Sequence, residues 1–326
     1  MNSLVLSAML PVFLLVAAGF VAARRQLVRP TAIKDLSNLV FLLLTPALFF
    51  RTMSQVHVEE LDFRPVAAYF VAAGVLFAGI LLVQGFNRRA AVLALAGTFS
   101  NTVMIGIALI GLLYGPQGMV TLLTLVSVHA LVLLTSATLV LEFAVAHEQD
   151  RGTSPGTANA QRPLPPRQPL WRTVLKAVRN SVIHPVPLPI ICGLLFAQTP
   201  FTIHPGIDRA LELAGNAFSP LALVLVGITL GSTPIGRHLK PALGLALVKN
   251  VAHPVLVFLL CRLFGVGGVP MAVMVVASAL PIGANVFLFA QRYQVAEELV
   301  TASVAVSTAL ALVTLSIVLV LAGQLG

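Results

Sequence analysis

The sequence predicts an all-α membrane protein in which ten transmembrane helices form two inverted repeats of five. Three observations support this prediction. Only 10% of the 326 residues are charged, whereas a soluble domain carries about 25%. The two halves of the chain resemble each other at a nearly constant offset. Each half also contains one apolar stretch that is interrupted near its middle by polar and helix-breaking residues.

Ten apolar stretches approach the length of about 20 residues that a helix needs to cross the hydrocarbon core. In chain order they cover residues 4–23, 33–50, 65–83, 90–113, 119–145, 181–197, 210–230, 241–260, 269–291 and 299–323. The first is expected to stay in the protein, because its positive charges follow the apolar run, which is the reverse of a cleavable signal peptide.

The basic residues predict the orientation of these spans. Most of the 20 Lys and Arg residues lie in alternate loops, as the positive-inside rule requires of cytoplasmic loops. The opposite loops carry Glu59, Glu60 and Asp62. Both termini are therefore predicted to lie outside the cytoplasm. Because this rule explains the net charge of +9, no nucleic-acid partner is expected.

An internal duplication divides the chain. An offset of 174 residues aligns Pro11 with Pro185, and it aligns Thr45-Pro46 with Ser219-Pro220. Because each repeat holds five spans, an odd number, the second repeat is expected to enter the membrane from the opposite side. The predicted units are a first repeat over residues 1–145, a Pro- and Arg-rich cytoplasmic linker over 146–170, and a second repeat over 171–326.

The interrupted spans are the fourth and the ninth. The fourth contains Asn101 and Thr102, and the ninth contains Pro281, Gly283 and Asn285. Non-helical backbone is tolerated at membrane depth only around a cavity or site, and a matched pair of broken helices indicates a transporter's binding site. Free N–H groups and positive half-helix ends at such breaks suit an anion such as a carboxylate.

Lys249 is the one Lys or Arg deep within a predicted span, and Asn250 follows it. A charge at this depth costs at least about 2.5–3.5 kcal/mol. The matching position of the first repeat, Ala73, is apolar, so the repeat itself does not require the charge. Two functional hypotheses stay open, a counter-charge for a bound anion and a proton-linked switch. A structural ion pair is the alternative.

Three further polar residues lie within predicted spans. His129 is either a packing residue or a substrate contact. Thr45 and Ser219 precede prolines at symmetric positions, where they either mark helix kinks or line a cavity. The sequence contains no catalytic, metal-binding or cofactor motif that we recognise, and Cys192 and Cys261 are interpreted as packing residues. The chain is therefore not predicted to be an enzyme.

Several runs of this sequence resemble the auxin efflux carrier family, which contains the plant PIN carriers and bacterial permeases for malate and similar acids. The similarity is most specific in the fourth span, at residues 100–107 and at Leu113-Tyr114-Gly115. It is also specific in the ninth, at Ala279-Leu280-Pro281, residues 287–290 and Tyr293. It extends over essentially the whole chain except the linker.

The resemblance implies an elevator-type fold. Spans one, two, six and seven would form a scaffold domain that also makes a homodimer. The other six would form a transport domain in which spans four and nine cross at their breaks and bind substrate anions. Asn101 matches the family's crossover asparagine, and His129 falls where plant carriers place a glutamine.

Two departures from the plant members narrow this expectation. The third span has no charged residue between positions 66 and 83, and the linker is short. Auxin transport and plant-type regulation are therefore not expected. The excess of Arg over Lys, 16 to 4, together with the short linker, suggests a multi-pass protein of a bacterial inner membrane with both termini periplasmic.

The leading functional hypothesis is a secondary transporter of a small organic anion, such as a mono- or dicarboxylate. The alternative is a ligand sensor or channel that uses the same fold without coupled translocation. Coupling to a proton or to sodium stays open, although the scarcity of acidic residues in mid-span weakens the case for sodium.

Overall fold

The computed structural model describes residues 3–56, 61–150, 187–233 and 238–322. The regular structure within these residues is helical, which confirms the all-α prediction. The first half contains α1 (Ser3–Arg24), α2 (Pro30–Leu39), α3 (Thr45–Met53), α4 (Arg64–Gln84), α5 (Arg88–Thr98) and α6 (Ile107–Asp150). The second half contains α7 (Pro187–Ala197), α8 (Pro205–Ser232), α9 (Leu239–Leu247), α10 (His253–Leu263), α11 (Gly268–Ala279), α12 (Asn285–Tyr293) and α13 (Glu297–Ala322).

Three short π-helical segments interrupt this pattern. They are π1 (Val40–Leu44) between α2 and α3, π2 (Thr102–Gly106) before α6, and π3 (Val248–Ala252) between α9 and α10. A proline is the second residue after π1 and after π3, in Thr45-Pro46 and in His253-Pro254. Proline cannot donate its helical hydrogen bond, and π-bulges occur often at functional sites.

Six continuous helical stretches among the described residues are long and apolar enough to cross a membrane. They are Ala32–Met53, Arg64–Gln84, Thr102–Glu148, Pro205–Ser232, Leu239–Leu263 and Glu297–Leu321. Three shorter apolar helices accompany them, Leu10–Arg24, Pro187–Ala197 and Gly268–Ala279. Large apolar side chains face outward, and Leu82 and Val83 are more than four-fifths exposed. Such surfaces suit a lipid environment, so the chain is a multi-pass membrane protein.

The predicted interruption of the fourth span is present, because α5 ends at Thr98 and the chain resumes as π2 and α6. The predicted boundary between the fourth and fifth spans differs from the structure. No loop separates the predicted fourth and fifth spans. Instead α6 continues through a sharp bend, where Gly115 has φ 55° and ψ −148° and Pro116 follows. This backbone conformation is open to glycine because it has no Cβ.

The linker and the sixth span are described in part. α6 runs on to Asp150, so the first residues of the predicted linker 146–170 are helical. Residues 151–170, and residues 181–186 of the predicted sixth span, lie outside the described part of the chain.

One group of helices contains α1, α2, α3, α7 and α8. α1 and α8 pack with almost no separation, since a Cβ on Gly19 would lie 2.0 Å from the carbonyl oxygen of Val224. A Cβ on Gly227 would lie at the same distance from the carbonyl oxygen of Val16. Small residues at a seam let two membrane helices approach closely, as they do here.

The second group contains α4, α5 and α9–α13. α4 packs on α5 and α10, α9 on α13, and α10 on α11. The long helix α6 contacts members of both groups. The breaks after α5 and α11 lie within the second group and face the first. This arrangement fixes the position of the site.

Candidate functional site at two helix breaks

The two interrupted helices meet at their interruptions. The first break comprises residues 99–101 and the second break comprises residues 280–284. The backbone N–H of Asn101 donates to the carbonyl of Pro281 at 2.9 Å, and that of Gly283 donates to the carbonyl of Phe99 at 2.9 Å. Ser100 and Ile282 form an antiparallel bridge between them. Because these bonds pair groups that helix interruption would leave unpaired, the breaks are compatible with burial.

A cavity of about 390 Å³ lies beside the two breaks. We call it the crossing cavity. Its wall on the first helix group consists of Ser37, Asn38, Phe41, Leu42, Leu225 and Thr229, and its wall on the other side consists of residues 99–104, Val126, His129 and residues 283–285. No Lys, Arg, Asp or Glu is among these lining residues. The cavity therefore separates the two helix groups and has a neutral, partly polar wall.

The starts of two half-helices face this cavity. π2 begins at Thr102 and α12 begins at Asn285, and both residues line the wall. The positive end of a helix dipole lies at its N-terminus and favours an anion there. Two such ends at one cavity give a positive potential without a charged side chain.

Asn101 contributes its side chain to this region in two ways. Its Oδ1 accepts a hydrogen bond from the backbone N–H of Met104 at 3.3 Å, so it caps the first half-helix. That bond identifies which atom of the side-chain amide is the oxygen, and it leaves the Nδ2 group available to donate to another partner. Asn101 can therefore donate to a carboxylate while it caps the helix end. At the other break, Asn285 lies exposed at the start of α12, which has no side-chain cap.

His129 belongs to a buried polar chain behind the cavity wall. Its Nε2 lies 3.2 Å from the Tyr69 hydroxyl, and that hydroxyl lies 2.8 Å from Ser100 Oγ. Tyr69 is fully buried. The chain connects the third predicted span, the first break and the fifth predicted span. Tyr69 fixes the position of His129, which itself lines the cavity.

Lys249 lies behind the second break and is not among the residues that line the cavity. Its ammonium is fully buried and donates to the carbonyls of Ser278 and Leu280, the second at 2.7 Å. Among the described residues, no carboxylate forms a salt bridge with it. The neighbouring Asn250 donates from Nδ2 to the carbonyl of Ser307 at 2.8 Å, and its buried Oδ1 has no hydrogen-bond partner among the described residues.

The structure brings five of the ten candidate residues to the crossing cavity: Asn101, Thr102, His129, Gly283 and Asn285. Pro281 is buried in the second break and contributes its carbonyl to the crossing. Thr45 is buried and donates to the carbonyl of Val40 within the helix, and Ser219 is half-buried in α8; neither lines the cavity. Sequence reasoning missed Tyr69, Ser100 and the polar wall residues Ser37, Asn38 and Thr229.

A comparison with known families assigns the chain to one of them. The profile of the family described as membrane transport protein matches residues 4–319 of the chain. The chain belongs to this family, the auxin efflux carriers. The resemblance that the fourth and ninth spans indicate is thereby confirmed.

One relative of this chain is named as a predicted malonate transporter of Rhizobium meliloti (strain 1021). It is 26% identical to this chain over 314 residues, which cover 94% of this chain and 92% of the relative. The family and this relative place the chain among proteins of transmembrane transport.

Proposed function

We propose that the protein is a secondary active transporter of a small organic anion, which binds in the crossing cavity. The observation that carries the proposal is the convergence of two half-helix N-termini and the Asn101 amide on one uncharged cavity. Helix N-termini, each carrying about half a positive charge, are ready-made anion sites. Substrate sites of transporters lie where broken helices cross near the membrane midplane.

The substrate class that fits best is a short carboxylate. A cavity of about 390 Å³ lies near the lower end of the range of about 300–1,000 Å³ for small-molecule sites. The relative named as a malonate transporter supports a dicarboxylate. Malonate carries two carboxylates on one methylene group, so each carboxylate has one half-helix end available to it.

The proposed mechanism is an elevator. The first helix group, with its tight α1–α8 contact, acts as the scaffold and as the homodimer interface. The second group, together with α6, carries the crossing cavity along it. The cavity lies against Ser37 and Asn38, close to the basic segment that contains Arg29 and Lys34. The positive-inside rule makes that side cytoplasmic, which corresponds to an inward-facing state.

The proposed location is a bacterial inner membrane, with both termini in the periplasm and the linker in the cytoplasm. The evidence for this orientation is the uneven distribution of basic residues between alternate loops. Fusions to a reporter that is active in the periplasm are expected to be active after Gly326 and inactive after Arg162. The reverse pattern would overturn the orientation.

Reconstituted protein in liposomes tests the function. We expect saturable uptake of radiolabelled malonate, or of a related short carboxylate that competes with it. We also expect counterflow, in which an internal pool of unlabelled acid accelerates the entry of label. Binding without uptake would instead indicate a sensor, and unsaturable flux without counterflow would indicate a channel.

A further inference from the structure

The Lys249 ammonium lies at the C-terminal end of a half-helix. α11 ends at Ala279, and the two acceptors of the ammonium are the carbonyls of Ser278 and Leu280. The last carbonyls of a helix have no partner within the helix and lie at the negative end of its dipole. The ammonium therefore neutralises the end of α11 at the second break.

Lys249 has no carboxylate among its described partners. The side chain is fully buried on π3, beside the buried Asn250. Among the described residues, Tyr69, His129 and His253 are the other ionisable groups in this region. His129 and His253 lie within electrostatic range of the ammonium, and the His253 ring lies 5.2 Å from that of Tyr69. A buried ion needs compensation, which here comes from main-chain oxygen.

Within the described part of the chain, no cation bonds to the first break. Its corresponding helix, α5, has the carbonyls of Ala94 and Leu95 near its end, and both accept from the Thr98 hydroxyl. The position that matches Lys249 in the first repeat is Ala73, which is buried. The interruption after α5 thus forms without a lysine at the helix end, so Lys249 is specific to the second break.

We propose that Lys249 is a tethered cation that fills a monovalent-cation site formed by the carbonyls of Ser278 and Leu280. Main-chain carbonyls and C-terminal half-helix ends are the groups with which ion-coupled transporters coordinate sodium. In this protein the cation is covalently attached and occupies that position in every molecule. Transport is therefore independent of sodium, and removal of the side chain opens a site for a small cation.

The first test uses the wild-type protein. Uptake of malonate into liposomes is expected to be equal when sodium is replaced by choline at constant ionic strength. This part of the inference rests on the proposed function. Stimulation of uptake by sodium would overturn it, because the site would then not be filled by Lys249.

The second test needs no transport. In choline buffer, purified Lys249→Ala is expected to melt several degrees below wild type. Sodium is expected to restore the melting temperature saturably, because a cation that binds only the folded state stabilises it by mass action. In Lys249→Met the side chain occupies the vacated space, so sodium is expected to restore nothing.

Lys240→Ala is the matched control, since Lys240 is an exposed lysine of the adjoining helix α9; it is expected to melt like wild type in both salts. Equal restoration of the Ala and Met variants would overturn the proposal, because sodium would then act elsewhere. The proposal would also be overturned if sodium did not raise the melting temperature of Lys249→Ala. If that variant is unfolded in choline, the same conclusion would follow if sodium did not yield folded protein.

Discussion

The two helix breaks meet symmetrically but are stabilised by different parts of the chain. At the first break the side chains that bond the main chain are neighbours in sequence: Thr98 donates to the preceding turn, and Asn101 caps the following one. At the second break they come from distant helices. Lys249 reaches the end of α11 from π3, and the Ser307 hydroxyl of α13 accepts from the N–H of Ile282 at 3.1 Å.

This difference assigns different tasks to the two breaks. The first is locally capped, and its capping residue also faces the crossing cavity. The second exposes an uncapped half-helix end at Asn285, and its shape depends on contacts from π3 and α13. A change at the first break is therefore expected to affect the ligand most, whereas a change behind the second is expected to affect stability most.

The largest effect on binding is expected for Asn101→Ala. A hydrogen bond to a charged group contributes about 1.5–3 kcal/mol, so malonate affinity is expected to fall roughly 10- to 150-fold. Loss of the cap is expected to lower the free energy of unfolding by about 1 kcal/mol. Titration of purified protein by calorimetry, together with melting curves, measures both quantities.

Asn285→Ala is the matched variant at the second break. Because Asn285 caps no helix in the structure, we expect weaker binding without loss of stability. If both variants lost stability equally, the assigned difference in capping would be wrong. Unchanged affinity of folded Asn101→Ala would place Asn101 in helix packing alone.

Gly283→Ala is expected to have the next largest effect. A Cβ there would lie 2.6 Å from the Phe99 ring and 3.2 Å from the carbonyl oxygen of Ser100. Because Phe99 lines the cavity and its ring centroid lies 4.7 Å from that of His129, its displacement is expected to distort the site. Overpacking is expected to cost about 1–3 kcal/mol of stability, and the displaced Phe99 ring is expected to weaken malonate binding as well.

Gly106→Ala is the control for this prediction. Its Cβ would lie 2.9 Å from Leu280 Cδ1, the far end of a flexible side chain that can move aside. We therefore expect a smaller loss of affinity than for Gly283→Ala. The opposite order in the same binding assay would contradict the structure of the crossing.

Ser307→Ala tests the remote support of the second break. It leaves the buried N–H of Ile282 without its acceptor, which costs about 1–3 kcal/mol of stability. Ser303→Ala is the control, because the Ser303 hydroxyl bonds only within its own helix, to the carbonyl of Leu299. We expect melting curves to separate the two variants, and equal melting temperatures would remove Ser307 from this role.

The smallest effect is expected for Tyr69→Phe. The change deletes the hydroxyl between Ser100 and His129 and keeps the ring. A neutral hydrogen bond contributes about 0.5–1.5 kcal/mol, so affinity is expected to fall roughly 2- to 12-fold through a looser His129. An affinity unchanged in Tyr69→Phe but reduced in His129→Gln would show that His129 needs no positioning by Tyr69.

The sequence predicts some of these features and not others, for physical reasons. Both interruptions were predictable because Asn, Pro and Gly in an apolar run mark a helix that cannot continue. The carbonyl partners of Lys249 were not, since main-chain acceptors leave no trace in a residue pattern. From the residue pattern, the structural alternative for Lys249 was therefore an ion pair. Tyr69 was missed because a tyrosine in an apolar span is equally compatible with an interfacial position.

The boundaries of the spans show the same limit. Hydropathy predicts a loop near Gly115 and Pro116, yet the chain bends there within continuous helix. Hydropathy cannot distinguish a bend from a loop, because both interrupt the apolar run with the same residues. The polar wall residues Ser37 and Asn38 were likewise invisible, since their role depends on the approach of a distant break.

The central claim is that the anion binds between the two half-helix ends of the crossing cavity. The most direct measurement is a cryo-EM structure of the protein saturated with malonate, compared with one in malonate-free buffer. We predict malonate-dependent density in contact with Asn101 Nδ2, with its carboxylates at the starts of π2 and α12. Malonate-dependent density elsewhere in the protein, with this cavity unchanged, would contradict the account.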